Sequence, residues 1–240
     1  MGRVTTYGYS DKGGRQENED SGGIYVYSDR IIAVVADGLG GQGDGSIASD
    51  AALQELAKCG QRGPLPGQEE VRDAFARANR VILSKQHNKY HMKTTAVYLC
   101  IQGSYAIWAH IGDSRLYHFY RGEMRHVTCD HSVPQLAVLL GEIGRRDIPA
   151  HPQRSHLMKA LGCEEVKPDI HEPVLLEPGK HVFLLCTDGF WEYIDEDKLA
   201  QSAGAAGTAE EWIASLRGDI QKRFCDDHDN NTAMAIMMEL

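Results

Sequence analysis

Ile31-Ile32-Ala33-Val34-Val35-Ala36-Asp37-Gly38-Leu39-Gly40-Gly41 is an apolar, β-branched run that delivers one carboxylate into a glycine-rich turn. Such a run reads as a buried strand, because branched side chains favour a pleated, packed surface. The device recurs at Val182-Phe183-Leu184-Leu185-Cys186-Thr187-Asp188-Gly189. Asp-Gly is also a common turn dipeptide, so either copy alone reads as a plain turn. Two buried strands that both end in a carboxylate point instead to a shared cation, since an unpaired acid at the mouth of a core is costly.

At 240 residues, 42% hydrophobic and 25% charged, the chain is long enough for a substantial core and has ordinary globular composition; it reads as one domain over residues 1–240. A formal net charge of -9 makes its surface repel nucleic acid and anionic membrane, so any phosphate must be bound by local groups. The six cysteines (Cys59, Cys100, Cys129, Cys163, Cys186 and Cys225) are scattered with no Cys-x-x-Cys pair, which fits reduced residues better than a zinc site or a disulfide framework. No segment reaches the roughly 18 apolar residues of a membrane span and no signal-peptide region opens the chain. A cytoplasmic protein that acts as a monomer is the expectation.

Outward from the first stretch, strands are expected at Val4 to Ser10, Gly23 to Ser28 and Arg30 to Ala36, with a polar loop from Asp11 to Asp20 between the first two. Helical stripes follow over Ser46 to Lys58 and Glu69 to His87, expected to pack as an antiparallel pair on a sheet face. A β meander then runs through Thr94 to Gln102, Tyr105 to Ile111, Arg115 to Tyr120 and Glu123 to Thr128. Residues 132–163 turn irregular and mostly helical, broken by Pro134, Pro149 and Pro152, the kind of excursion that forms a flap over a site. Strands at Ile170 to Leu176 and His181 to Cys186, helices at Glu196 to Ala203 and Thr208 to Arg223, and a last strand at Asn231 to Met238 complete the pattern. Antiparallel strands with paired helices define an α+β layered sandwich rather than a parallel α/β sheet.

The acids at strand ends or glycine turns are Glu19, Asp20, Asp37, Asp113, Asp188 and Asp229. Oxygen ligands without accompanying His or Cys favour magnesium or manganese over zinc. Two such ions about 3.5 to 4 Å apart can bridge a water and aim it in line at phosphorus. Around Asp229, the cluster Asp226-Asp227-His228-Asp229 reads either as an exposed, solvated turn or as acids gathered by a cation. Arg15, five residues before Asp20, would add a guanidinium fork suited to phosphate oxygens.

Six segments in order resemble the signature segments of the PP2C-type metal-dependent protein serine/threonine phosphatases. They are Gly14-Arg15-Gln16-Glu17-Asn18-Glu19-Asp20-Ser21, Val35-Ala36-Asp37-Gly38-Leu39-Gly40-Gly41, Gly112-Asp113-Ser114-Arg115-Leu116-Tyr117, Asp130-His131-Ser132, Thr187-Asp188-Gly189-Phe190-Trp191 and Asp229-Asn230-Asn231-Thr232. Each is weak alone; six in family order, spanning nearly the whole chain, are not. The resemblance implies a four-layer αββα sandwich with two central antiparallel sheets and the metals between their edges. It implies further that Asp37 bridges two ions, that the Gly38 carbonyl binds one, and that Asp188 and Asp229 hold the first. Glu19 and Asp20 match acids acting through metal-bound waters, Asp113 matches a ligand of a third, weaker ion, and Arg15 matches the phosphate-gripping arginine. Residues 132–163 fall at the family's flap, and His151-Pro152-Gln153-Arg154 with Ala160-Leu161-Gly162 looks like the compact bacterial form. Leu39 stands where many eukaryotic members carry a histidine, so leaving-group protonation must come from a metal-bound water or another residue.

The expected activity is hydrolysis of phosphoserine and phosphothreonine esters on proteins, by attack of a water bridging two divalent ions, manganese or magnesium, opposing a cognate serine/threonine kinase. Against it stand two other readings. One is a phosphatase-fold module that binds phosphoproteins with little or no turnover. The other takes Ser114 as a lipase-like nucleophile, a reading weakened because Cys225, not an acid, lies three residues before His228.

Overall fold

The computed structural model describes residues 2–40, 44–86, 91–224 and 226–240. The chain begins with strands β1 (Val4–Asp11), β2 (Asp20–Val26) and β3 (Arg30–Leu39), then helices α1 (Asp44–Leu56) and α2 (Gln68–Lys85). A two-residue β4 (Lys93–Thr94) precedes β5 (Ala96–Gln102), β6 (Tyr105–Ile111), β7 (Arg115–Tyr120) and β8 (Glu123–Val127). Helix α3 (Val133–Leu139) and a 3-10 turn at Arg145–Ala150 lie in the excursion before β9 (Asp169–Ile170), β10 (Val174–Leu175) and β11 (Lys180–Cys186). Helices α4 (Asp188–Trp191), α5 (Glu196–Ala205) and α6 (Ala209–Ile220) lead to β12 (Asn231–Glu239).

The strands form two antiparallel sheets. One runs β1-β12-β11-β7-β8, the other β10-β6-β5-β3-β2, with β4 on the end of β3 and β9 on β6. Alternate residues of β3 face opposite ways. Ile32, Val34 and Ala36 pack beneath Leu56 of α1 and Phe75 of α2, whereas Ile31, Ala33 and Val35 meet Phe183, Leu185 and Ile236 of the other sheet. On the far side, Phe119, Leu184 and Ala235 pack against Leu199 of α5 and Trp212 of α6. The order is therefore helix, sheet, sheet, helix. Both faces of each sheet being covered is why β3 reads as an unbroken apolar run where an antiparallel strand with one wet face would alternate. No helix among the described residues is long and apolar enough to cross a membrane.

Several boundaries differ from the sequence expectation. The strand carrying Asp37 does not stop there but continues to Leu39, because Gly38 and Leu39 pair with Thr94 and Lys93 of β4. Strand β2 starts at Asp20, three residues earlier than expected. The strand expected over Ile170 to Leu176 is two short ones, since Pro173 between them has no N–H for a ladder. Asp188 opens the one-turn helix α4 instead of a simple turn. The helix expected to reach Arg223 ends at Ile220 and tightens into a 3-10 turn. The ends of two expected segments, Gly41 and His87, and one of the six cysteines, Cys225, lie outside the described residues.

Candidate active site

Antiparallel pairing sets the position of the acids. In the first sheet Cys186 at the end of β11 faces Ala233 of β12 and Arg115 of β7, so β11 leaves where β12 and β7 enter. Asp188 lies two residues past β11, Asp229 two residues before β12, and Asp113 two residues before β7. In the second sheet Asp20 and Asp37 are direct cross-strand partners of β2 and β3. Five carboxylates more than 200 residues apart at the extremes thus meet at one end of the sandwich, each within the electrostatic reach of others.

The surroundings fix these acids one by one, some through the carboxylate and some through the backbone that carries it. Thr187 Oγ1 donates to Asp20 Oδ2 at 2.9 Å across the sheets, while its oxygen accepts the Thr232 N–H at 2.9 Å. Asp37 N donates to Thr95 Oγ1 at 2.9 Å, and the Asp37 carbonyl accepts from Thr94 Oγ1 at 2.8 Å and Thr95 N at 2.9 Å. Gly189 N donates to Asp188 Oδ1 at 2.6 Å. Trp191 Nε1 donates to the Asp113 carbonyl at 2.9 Å, and its ring lies 3.4 Å beneath the Arg115 guanidinium. That guanidinium forms a buried bidentate pair with Asp130 at 2.8 and 2.7 Å. Glu19 Oε1 accepts from Gly45 N at 3.1 Å, placing it at the start of α1.

Burial pushes Asp20 up to about 7, only partly offset by hydrogen bonds from Thr232 and Thr187 and reinforced by Asp188. Asp37 is held well above the carboxylate range by burial and then by Asp188, Asp20, Asp113 and Asp229. Burial and Asp188 do the same to Asp113. Asp188 is raised by burial and by Asp229, and it lies in hydrogen-bond reach of Asp37. Among the described residues no three of these acid oxygens close to within 4.8 Å of one another, as expected of like charges.

Two features show that the donor set fits a hard cation. Asp20 Oδ1 is buried with no hydrogen-bond partner, a cost of about 1–3 kcal/mol that a cation or its hydration shell would offset. Gly38 is packed so closely that an added Cβ would collide with the Gly45 carbonyl and the Glu19 carbonyl, so its backbone is held beside Glu19 as well as Asp37. Arg15 is exposed at the rim with Nη2 2.9 Å from Asp229 Oδ2. Asp226 and Asp227 are exposed to solvent, so the local acid cluster divides, with Asp229 alone directed to the site. Ser114 is buried and 2.6 Å from Thr95 Oγ1, out of reach of any substrate ester, which removes the serine-nucleophile reading.

Sequence reasoning missed Glu192, which burial and the Asp188 charge raise to about 7 and which lies 3.7 Å from Arg154 Nε. Its position in the first turn after Thr187-Asp188-Gly189 was the available signal. It also missed the threonines at 94, 95 and 187 as holders of acids; Thr187 and Thr94-Thr95 each adjoin a strand end, which marks them only in hindsight.

A four-layer sandwich with an oxygen-only acidic recess at one sheet end defines a metal-dependent phosphoprotein phosphatase. The family profile of protein phosphatase 2C matches residues 7–224, and the chain belongs to that family. It is similar to the protein phosphatase PhpP of Streptococcus pneumoniae, 34% identical over 194 residues that cover 77% of this chain and 78% of the relative. The Mycobacterium tuberculosis serine/threonine phosphatase PstP/Ppp superposes with a TM-score of 0.82 at 28% identity over 99% of each chain. The catalytic domain of PstP in complex with two manganese ions gives 0.79 at 25% identity over 97% of each. The chain is thus a protein serine/threonine phosphatase.

Proposed function

We propose that the recess holds two divalent ions, manganese or magnesium, and that the protein hydrolyses phosphoserine and phosphothreonine esters in the cytoplasm as a monomer, opposing a serine/threonine kinase. Asp37 would be shared by both ions, with the Gly38 carbonyl on one and Asp188 and Asp229 on the first; Glu19 and Asp20 would act through water, and Asp113 would serve a third ion. The convergence of Asp113, Asp188 and Asp229 two residues outside one sheet end, opposite the Asp20–Asp37 pair, carries this reading. When bound, the ions supply charge neutralisation and activation of the attacking water.

The chain's own residues do the rest. Arg15 sits at the rim on Asp229, and its five-donor fork offers phosphate oxygens more than the one N–H engaged there. Thr187 keeps the Asp20 carboxylate from swinging outward, and Thr95 holds the Asp37 backbone. The excursion over 132–163, closed on itself by the Ser132–Leu157 bridge and tied to the sandwich by the Thr94–Leu161 bridge, would serve as a flap that shapes substrate access within one catalytic domain.

The test is hydrolysis of a phosphothreonine peptide with manganese, magnesium or chelator. Asp37→Asn and Asp188→Asn should each lower turnover at least about a hundredfold, the upper end of what even outer-shell metal-site changes do. Arg15→Ala should raise KM while calorimetric manganese affinity stays. Full activity in chelator refutes the mechanism, and absence of turnover in every metal would favour a binding module.

A further inference from the structure

His131 answers both peptide groups of Gly112, the residue before Asp113. The His131 N–H donates to the Gly112 carbonyl at 2.9 Å, and His131 Nδ1 accepts the Gly112 N–H at 3.1 Å. Gly112 has φ 98°, and a Cβ there would lie 2.5 Å from Thr95 Cγ2, so the turn is clamped between Thr95 and the imidazole. The His131 ring is 8% exposed and lies flat on His110, with centroids 4.6 Å apart and planes within 2°. His110 Nε2 is in turn 2.8 Å from the Cys129 carbonyl.

On its other side His131 Nε2 lies 3.2 Å from Asp169 Oδ2, an electrostatic contact whose geometry is not that of a hydrogen bond, while Asp169 Oδ1 takes Lys159 Nζ at 3.1 Å. His131, Lys159 and Asp169 stand at the beginning, toward the end and just beyond the excursion, so one carboxylate closes its base. Met158 N adds a bond to the His131 carbonyl at 2.8 Å. His110, His131 and Asp169 bring ligand-type atoms within 4.8 Å of one another, a spacing zinc would accept. Their hydrogen bonds oppose ligation. Because His131 Nδ1 is the acceptor of an N–H, the neutral ring carries its proton on Nε2, the nitrogen a metal would need. Burial and His110 keep the ring neutral, lowering it to about 4.

We propose that His131, steered by Asp169, is a positioning residue for Asp113, and that the Lys159–Asp169–His131 staple ties the seating of the excursion to the turn that presents that carboxylate. This rests on the reading of Asp113 as a ligand of the weakest-bound ion. Nothing in the sequence spacing marks the link, since His131 follows Gly112 by 19 residues.

The experiment compares wild type with Asp113→Ala, His131→Asn, His131→Gln and Asp169→Ala by calorimetric manganese titration and by kcat and KM on a phosphothreonine peptide. Asparagine places Oδ1 where Nδ1 was and keeps the Gly112 bond; glutamine is as polar and as buried but reaches the Nε2 position instead. His131→Gln should weaken the weakest manganese isotherm about tenfold and lower kcat by a similar factor with KM nearly unchanged, as supporting residues around metal sites do. His131→Asn should recover most of both, to about the level of Asp169→Ala, which should move both in the same direction less far than glutamine. If glutamine and asparagine behave alike, or if Asp113→Ala weakens that isotherm while His131→Gln leaves it intact, the proposal is overturned and the two-ion reading stands. If Asp113→Ala changes no isotherm, the assignment of Asp113 fails, and this inference with it.

Discussion

Asp20→Asn should stabilise the metal-free protein while crippling the enzyme. Asp20 is 9% exposed, one of its oxygens has no partner, and its pKa is raised from 3.8 to about 7 by burial first. For an acid whose folded pKa is raised, the unfavourable contribution is absent below the unfolded value, grows as pH climbs, and is complete above the folded one. A rise of about three units corresponds to a penalty on the order of 4 kcal/mol above pH 7, and to a clearly smaller one, roughly 1–2 kcal/mol, at pH 5. The asparagine oxygen can still accept from Thr187, so substitution removes the charge and little else. If half the gain survives repacking, Tm in chelator rises by roughly 4–8 °C at pH 8, at about 2–4 °C per kcal/mol for a chain of this size. Calorimetry in chelator at pH 5 and pH 8 reads this directly. The difference between variant and wild type must widen with pH, and excess manganese must reverse the order. A gap that is the same at both pH values would show that Asp20 carries no electrostatic strain and would undo the argument that the recess is built for a cation.

Two other outcomes follow from the same packing. Arg115→Met leaves Asp130 buried and unpaired, its side chain being 1% exposed; breaking such a pair costs roughly 3–5 kcal/mol, a Tm loss of roughly 10 °C, and Asp130→Asn in the same chain should recover much of it. A loss under about 1 kcal/mol in calorimetry would mean the pair contributes no more than a surface one. Ser114→Ala should leave turnover within a few-fold of wild type and cost about 1 kcal/mol for its bond to Thr95; abolished activity with manganese binding intact would bring back a serine nucleophile.

Much of the fold was legible because short, β-branched apolar runs bounded by glycine turns favour buried strands. The runs ending at Asp37 and Asp188, and the run from Asn231, all form central strands. What stayed hidden needed a partner far along the chain. The extension of β3 to Leu39 depends on two residues of β4. Asp20 is held by a threonine 167 residues away, and Arg115 is neutralised by Asp130, Glu196 and the face of Trp191 together. The break between β9 and β10 was readable from Pro173, yet the flanking apolar residues outweighed it in the periodicity.

The two sheets supply acids in different ways, and the difference has a physical reason. Asp113, Asp188 and Asp229 lie two residues beyond ladder ends, where the nearby strand still anchors the backbone but the pleat no longer dictates the side-chain direction. Asp20 and Asp37 lie inside a paired ladder, where the side-chain direction is set by the pleat. The ladder acids therefore have the more rigid geometry, and Asp20 carries a buried oxygen with no hydrogen-bond partner. An ion shared between the two sheets needs a rigid anchor on one side. On the other it needs ligands able to close around it. The strand ends provide those, and at the Gly112 turn that freedom is curbed by the His131 side chain.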